Sequence, residues 1–208
     1  RSTPIKSSAA SELYKRQHIV LPRLLTLQRM NPELHLQVSL DDRIADLVTE
    51  GVDVALRLSA EPPQAHAARV LARIETPLFA APSFPPVESV YALAALPHVR
   101  FSGIPPDAPL RLVSDDETID IAVNTVFRAN TSDALLQALE AGMGIGGMQL
   151  PLAARALQTG TLVQVLPAWR LPDRFLYAVY PDARFIPHRV RSVVGVIEQL
   201  LPEIIKKN

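Results

Sequence analysis

One segment, residues 34–58, constrains the fold of this chain more than any other feature, because it reads as a strand, a helix and a second strand. Leu34–Leu40 alternates apolar and polar side chains, as a strand with one buried face does. Two aspartates then precede a short predicted helix over 44–50, and Gly51 is suited to end it. The mostly apolar run Val52–Leu58 is typical of a buried parallel strand. This βαβ unit predicts an α/β fold.

Strands and helices continue to alternate along the rest of the chain. Hydrophobic periodicity and turn residues predict strands over 4–8, 68–74, 78–81, 98–101, 126–129, 162–165 and 175–180. They predict helices over 13–30, with a kink near Pro22, and over 89–96, 133–141, 151–158 and 187–201. The acidic turn Ser114–Glu117 joins 110–113 and 118–123 as a hairpin. Proline-rich crossings near 81–86 and 181 predict two lobes joined by two strands.

The composition excludes several classes of protein. Apolar residues make up 48% of the 208 residues, which suits a packed core, and the formal net charge is zero. A neutral chain argues against a surface built mainly to neutralise phosphates. The absence of cysteine excludes a disulfide scaffold, thiol catalysis and cysteine-based zinc sites. The sequence has no apolar run long enough to span a membrane, and no signal peptide follows Arg1. We interpret the chain as a fragment or a processed form.

Two polar helix starts are candidate anion sites. The corner Ser7–Ser11 follows a strand and opens a helix, where α/β sheets place their ligands. Free N–H groups and the helix dipole there suit an anion. Asn130–Ser132 has the same character. Plain N-capping is the simpler interpretation of these segments, and the sequence leaves both interpretations open.

Two other features have less specific interpretations. The glycine-rich segment 142–147 follows a helix and opens a strand, which is the reverse of the dinucleotide-binding order, so we reject a nucleotide site. A helix C-cap and close packing at a lobe interface account for it better. Arg57 ends a predicted strand, where it is suited to a carboxylate ligand, to pairing with Asp53 or to solvent.

The sequence contains no pattern that indicates catalysis. Its five histidines are scattered without metal-ligand spacing, and it has no nucleophile elbow, phosphate loop or carboxylate pair. We therefore expect no enzymatic activity, no metal and no cofactor.

Several segments, in the same order as in a known family, give the chain a resemblance over essentially all its residues. It resembles the effector-binding domain of LysR-type transcriptional regulators. The segments that carry the resemblance are Leu21–Leu25, Asn31–Leu36, Asp46–Arg57, Ala141–Pro151, Leu166–Trp169 and Tyr177–Pro181.

The resemblance implies a fold like that of type-2 periplasmic binding proteins, with lobe I formed by 1–80 and 182–208 and lobe II by 81–181. It also implies that a small effector, often an anion or a carboxylic acid, binds in the cleft between the lobes. By position, the effector-binding residues would be Ser8, Ala9, Ser11, Phe101, Ser102, Thr131, Ser132 and Tyr180. Many members have a proline in the first corner, where this chain has Ala9–Ala10, which changes the shape expected for that corner.

The resemblance further implies partners. Members dimerise through this domain, so the helix Glu12–Met30 would lie against the partner's helix 133–141 in a homodimer or homotetramer. Leu13, Tyr14 and Leu135 would make contacts. The N-terminal winged helix-turn-helix of the family is absent from this chain, so DNA would be bound only through that missing domain.

Three functions remain open on the sequence. The first is the sensing domain of a cytoplasmic regulator with no membrane partner, in which effector binding shifts the population of dimer geometries by about 1–3 kcal/mol. The second is a periplasmic solute-binding protein of a transporter with the same fold. The third is an enzyme on the same scaffold. The segments 21–25 and 52–57 match regulators more closely, and we favour the first.

Overall fold

The fold is known from a computed structural model, which describes residues 2–7, 20–40, 47–63, 67–182 and 186–205. The strands are β1 (Ser2–Ser7), β2 (His35–Leu40), β3 (Val54–Ser59), β4 (Ala67–Ala80), β5 (Pro97–Phe101), β6 (Leu110–Val113), β7 (Thr118–Ile121), β8 (Asn124–Ala129), β9 (Gly146–Gly147) and β10 (Val163–Tyr180). The helices are α1 (Val20–Met30), α2 (Ser132–Glu140), α3 (Leu150–Gln158) and α4 (His188–Ile205), with a 3₁₀ helix over Val90–Ala95.

The chain divides into two compact units, which confirms the predicted α/β architecture of two units joined by two strands. The first unit contains Arg1–Ile74 and Arg174–Lys207, and the second contains Glu75–Asp173. Both divisions fall inside long strands, β4 and β10, which pass from one unit into the other. The lobes expected from the sequence divide after residues 80 and 181, at the ends of these strands.

A mostly parallel sheet organises the first unit. β1 lies between β2 and β3 and pairs in parallel with both, and β3 pairs antiparallel with β10. The two strands of the predicted βαβ unit therefore flank β1. Between them, residues 47–51 form turns, and the rest of the helix predicted over 44–50 lies outside the described residues. Gly51 has a φ of 63°, the left-handed conformation expected at the end of a helix.

The sheet of the first unit is covered on both faces, because alternate residues of its strands point to opposite sides. On one face the strands pack against α1 and α4, and the last helix buries the apolar residues that its spacing predicts. These are Val190, Val193, Val194, Ile197, Leu200 and Leu201. The other face buries Leu47, Val52, Ala55, Tyr177 and Val179.

Three sets of strand pairs build the second unit. β5 and β8 are parallel neighbours, β6 and β7 form the predicted hairpin, and β9 pairs antiparallel with β4. The hairpin turn is held by Ser114, whose hydroxyl oxygen accepts the N–H groups of Asp116 and Glu117 at 3.3 and 3.1 Å. One apolar cluster joins α2 and α3 to Phe79 and Val99, and a second surrounds Leu93 and Leu112.

Two predictions about strand ends are wrong. The strands predicted over 68–74 and 78–81 are one strand, β4, and those predicted over 162–165 and 175–180 are one strand, β10. Both strands contain proline, and β4 shows how one is accommodated. Pro77 lacks a donor, yet its carbonyl still accepts the N–H of Met148 at 3.1 Å. The prolines of 82–86 lie in the loop after β4, within the second unit.

Candidate functional site

The described part of the predicted site lies at the carboxyl ends of two parallel strands in the second unit. Phe101 ends β5, and the next residue, Ser102, donates its N–H to the carbonyl of Ala129 at 2.8 Å. Ala129 in turn ends β8, just before the start of α2. The structure therefore brings Phe101 and Ser102 close to Thr131 and Ser132. Carboxyl ends of parallel strands are where open α/β sheets bind ligands.

Thr131 is the N-cap of α2, as the capping interpretation of 130–132 predicts. Its backbone is extended, and its Oγ1 accepts the N–H of Ala134 at 3.4 Å. Because the hydroxyl oxygen is the acceptor, the hydroxyl hydrogen remains able to donate to a ligand. Ser132 begins the helix and is buried, whereas Phe101 and Ser102 are exposed. Capping and ligand binding are therefore compatible at this helix start.

Tyr180 lies in the first unit, as the last residue of β10. It is only 5% exposed and packs in the apolar cluster that α4 covers. Burial raises the pKa of its phenol, with a smaller lowering by Arg69 and a smaller raising by Glu198. At the pH of a cell the hydroxyl is therefore neutral and can act as a hydrogen-bond donor.

The remaining predicted residues are one dimer-contact residue that the structure describes and five positions that it does not. Leu135 is 6% exposed and packs in the apolar cluster between α2 and α3. Its side chain therefore offers little surface to a partner. The positions that lie outside the described residues are Ser8, Ala9, Ser11, Leu13 and Tyr14.

Two arginines next to the site were missed by the sequence analysis. Arg100 of β5 and Arg128 of β8 are register partners across the parallel pair. Arg128 Nη2 donates to the carbonyl of Ser102 at 2.8 Å and to that of Ile104. Each arginine is the third residue of a four-residue predicted strand, 98–101 or 126–129. Pairing those two strands in parallel would have placed the arginines side by side.

Positive charge is concentrated on this face of the β5–β8 pair. Arg100 is buried, and burial lowers its pKa, with a further lowering by the nearby charge of Arg128. On the same strand, burial is the main cause of a lowered pKa at His98, against a smaller raising by its bond to the Leu93 carbonyl. With His98 neutral, the charged side chains on this face of the described β5–β8 pair are the two guanidinium groups.

The glycine-rich segment caps a helix and packs closely, as predicted, but the close packing is against β5. Gly142 has a φ of 73°, and its N–H and that of Met143 reach the carbonyls of Leu139 and Ala138 at 3.0 and 3.1 Å, which is a Schellman motif. A Cβ on Gly144 would lie 2.4 Å from the carbonyl oxygen of Pro97. The glycines therefore serve packing within the second unit.

Arg57, the arginine of the first unit that could bind a carboxylate, is partly buried, and burial lowers its pKa. Asp53, its suggested partner, lies 3.5 Å from Arg189 Nη2 and forms an ion pair with α4. The acid is therefore engaged in fastening the helix to the sheet.

Two general features bear on the kind of site. Within the described ranges, His, Asp and Glu side chains do not converge in any group of three that could hold a metal ion. Among the described helices, none combines the length and apolar character needed to cross a bilayer.

The fold and the site define a two-unit α/β protein whose second unit has a sheet edge of the kind that binds ligands. Comparison of the sequence with known proteins assigns the family. Residues 9–202 match the LysR substrate binding domain. The chain belongs to the LysR substrate binding domain family, the effector-binding domain of LysR-type transcriptional regulators.

Its relatives include named regulators. The chain is 30% identical over 182 residues to the HTH-type transcriptional regulator PtxR of Pseudomonas aeruginosa, covering 83% of this chain and 57% of that protein. It is 29% identical over 192 residues to the HTH-type transcriptional regulator DmlR of Escherichia coli, covering 90% and 62%. The chain thus spans about three-fifths of the length of these relatives.

Solved structures with the same fold are regulatory domains. The regulatory domain of AphB in Vibrio vulnificus superposes with a TM-score of 0.74 at 22% identity, covering 95% of this chain and 98% of that one. The CrgA regulatory domain of Neisseria meningitidis gives 0.76 at 20% identity, covering 96% and 98%. At these identities the likeness establishes the fold, the type-2 periplasmic-binding-protein-like architecture that the resemblance implies.

Proposed function

We propose that this chain senses a small anionic or carboxylic effector for a LysR-type regulator, and that the effector binds in the cleft between its two units. The relay passes through a dimer to a DNA-binding domain outside this sequence. The family match over residues 9–202 is the observation that carries the proposal. We place the regulator in the cytoplasm, where its DNA target would be.

The sheet edge of the second unit supports an anionic ligand. Thr131 can donate its hydroxyl hydrogen there, and the start of α2 carries the partial positive charge of the helix dipole. Phe101 is 39% exposed and adds apolar surface beside them. An aromatic or aliphatic acid would match this combination of donors and apolar contact. Ser8, Ala9, Ser11, Ser102, Ser132 and Tyr180 complete the proposed site.

A dimer would transmit the effect of ligand binding to the DNA-binding domain. The described part of α1 has Leu25 at 45% and Met30 at 76% exposure, apolar side chains for which a partner surface would provide cover. On α2, the partner would meet the exposed polar side chains Asp133, Gln137 and Glu140 rather than the buried Leu135. Effector binding would then bias one dimer geometry over another by about 1–3 kcal/mol.

The two other functions have less support. A transporter's solute-binding protein shares this fold, but PtxR and DmlR are both named as transcriptional regulators. An enzyme would need a catalytic constellation, and the described residues at the sheet edge offer donors without a paired nucleophile and base.

Calorimetric titration of the 208-residue chain with a panel of acids tests the proposal, using succinate, benzoate and other small carboxylates as probes. We expect one or more to bind, and Thr131→Val to weaken that binding about tenfold or more by removing a donor. Thr131→Ser retains the hydroxyl and is the matched control. Ser8→Ala and Ser11→Ala extend the test to the first corner. If all the variants bind such an acid like the wild type, the proposed cleft residues are wrong.

A further inference from the structure

Two arginine side chains of the second unit lie together without an acidic partner. Arg100 and Arg128 occupy paired positions on β5 and β8, so their side chains leave the sheet on the same face. Two other arginines of the unit pair with carboxylates: Arg111 contacts Asp120 at 2.7 Å, and Arg170 contacts both Asp115 and Asp173. In the described part of the chain, no carboxylate pairs with Arg100 or Arg128.

Main-chain carbonyls take the place of the missing acids. Arg128 Nη2 donates to the carbonyls of Ser102 and Ile104. Arg100 donates from Nη1 to the carbonyl of Ala108 at 2.7 Å and from Nη2 to that of Pro109 at 3.3 Å. The two guanidinium groups thus hold the two ends of loop 102–109 against the strands.

These bonds leave part of the donor capacity unused. A guanidinium group has five N–H donors, and Arg100 uses two of its nitrogens. Its Nε is buried without a partner among the described residues, although the whole residue is only 7% exposed. Arg128 is exposed and bonds the loop through Nη2 alone. A ligand can therefore reach Arg128 from solvent, with Arg100 behind it.

The charge balance favours an anion at this position. A buried charge is costly unless it is neutralised, and carbonyl oxygens supply only partial negative charge. Two neighbouring guanidinium groups also repel each other. An oxyanion would neutralise one charge and accept hydrogen bonds from planar donor forks, a geometry that carboxylate and phosphate groups both fit.

We propose that Arg100 and Arg128 form a binding site for the oxyanion group of a small ligand, a carboxylate or an inorganic oxyanion, under loop 102–109. The oxyanion enters from the exposed side of Arg128 and competes with the loop carbonyls for the same donors. Binding therefore loosens the loop that follows Phe101. The role of this ligand as an effector rests on the proposed function, because Ser102 belongs to both sites. The negative charge of the ligand does not rest on it.

Loop 102–109 lies close to Phe101, so a movement of the loop would affect that residue. Its backbone passes close to the ring of Phe101: a Cβ on Gly103 would lie 2.6 Å from Phe101 Cε1. Movement of the loop therefore moves the aromatic surface next to Thr131.

Thermal unfolding of the 208-residue chain tests the site, with phosphate, sulfate, acetate and succinate as probes against chloride at matched ionic strength. We expect Tm to rise with at least one oxyanion, in a saturable way, by about 3–5 °C at ten times its dissociation constant. Arg128→Gln should abolish the rise, whatever its own Tm. Arg155→Gln, which removes an exposed arginine from α3, should retain it. A response to carboxylates alone identifies an organic acid, and one to phosphate or sulfate alone identifies an inorganic ion.

An unchanged rise in Arg128→Gln, or no rise above chloride in the wild type, overturns the proposal. If Arg128→Gln does not fold, Arg128→Lys and the Nε–Hε NMR signals of the wild type decide the matter. We expect the signals of Arg100 and Arg128 to shift on titration with the same oxyanion, and static signals would refute the site. If an oxyanion binds at the two arginines but no acid binds at Thr131, the proposed function alone is refuted. The two failures are therefore distinguishable.

Discussion

The imidazole of His98 donates from Nε2 to the carbonyl oxygen of Leu93 at 2.9 Å, joining β5 to the 3₁₀ helix in the interior of the second unit. A carbonyl can only accept, so this contact requires a hydrogen on Nε2. His98 is 1% exposed, and burial is the main cause of its lowered pKa, opposed by the Leu93 bond and reinforced by Arg100.

The first prediction is that acid destabilises the protein through His98. Below about pH 6.5 an unfolded histidine binds a proton, whereas folded His98, with its lowered pKa, does not. The stability is therefore fully present above about pH 6.5 and falls as the pH decreases toward the folded-state pKa. One such group contributes a slope of at most about 1.4 kcal/mol per pH unit.

Urea unfolding between pH 7.5 and 5.5 measures this slope. His98→Gln should reduce it, because glutamine keeps a donor but cannot be protonated in this range. His188→Gln, at an exposed position at the start of α4, is the matched control. Equal slopes in the wild type and His98→Gln would contradict the assignment.

The second prediction concerns the cap of α2. Thr131→Ala removes the oxygen that accepts the N–H of Ala134 and should lower the free energy of unfolding by about 1 kcal/mol. The contact is long, at 3.4 Å, so the loss should lie toward the lower end of the usual range for a lost cap. Thr131→Ser keeps the acceptor and should remain close to the wild type in urea unfolding. A similar loss in both variants would show that the methyl group, not the cap, stabilises this turn.

The third prediction contrasts two glycines. Gly144→Ala would place Cβ 2.4 Å from the carbonyl oxygen of Pro97, a main-chain atom that cannot rotate away, and should destabilise by about 1–3 kcal/mol. Gly195 lies inside α4 with nothing within 4 Å of its Cβ position, so Gly195→Ala should stabilise by about 1 kcal/mol. Chemical denaturation of both variants checks the opposite signs. A neutral Gly144→Ala would mean that β5 and the glycine segment can separate at little cost.

The fourth prediction tests the proposed dimer. Leu25→Arg places a charge on the exposed side of α1 and should shift sedimentation velocity from dimer to monomer. Val48→Arg changes another exposed apolar residue of the first unit, at 66% exposure and away from α1, and should leave the dimer intact. A dimer that survives Leu25→Arg would argue against an interface on this part of α1. Leu135→Arg would be uninformative, because it would disrupt the core of α2.

Much of the fold could be predicted because local patterns agree with the final packing. The alternation of 34–40 gives β2, the acidic turn gives the hairpin, and the 3.6-residue spacing of valines and leucines gives α4. These segments carry their own periodicity. Long-range pairing decides the rest: β4 continues through Pro77 because β9 pairs beyond it, and no local signal announces that partner.

The site was only partly predictable for the same reason. The capping role of Thr131 follows from a threonine before an apolar helix. The neighbourhood of Arg100 and Arg128 does not, because it depends on which strands pair and in which register. Burial of Leu135 could not be separated from a surface role either, since apolar spacing on a helix marks a buried face without saying which chain covers it.

The first unit is assembled from both ends of the chain, and this sets an order for its formation during synthesis. Six of the fourteen buried residues in the apolar cluster on one face of its sheet come from α4, which leaves the ribosome after every residue of the second unit. The second unit is continuous from Glu75 to Asp173 and can close its core while α4 is still inside the exit tunnel. A nascent chain therefore carries a finished second unit and an open first one, so chaperones would meet the exposed sheet of the first unit.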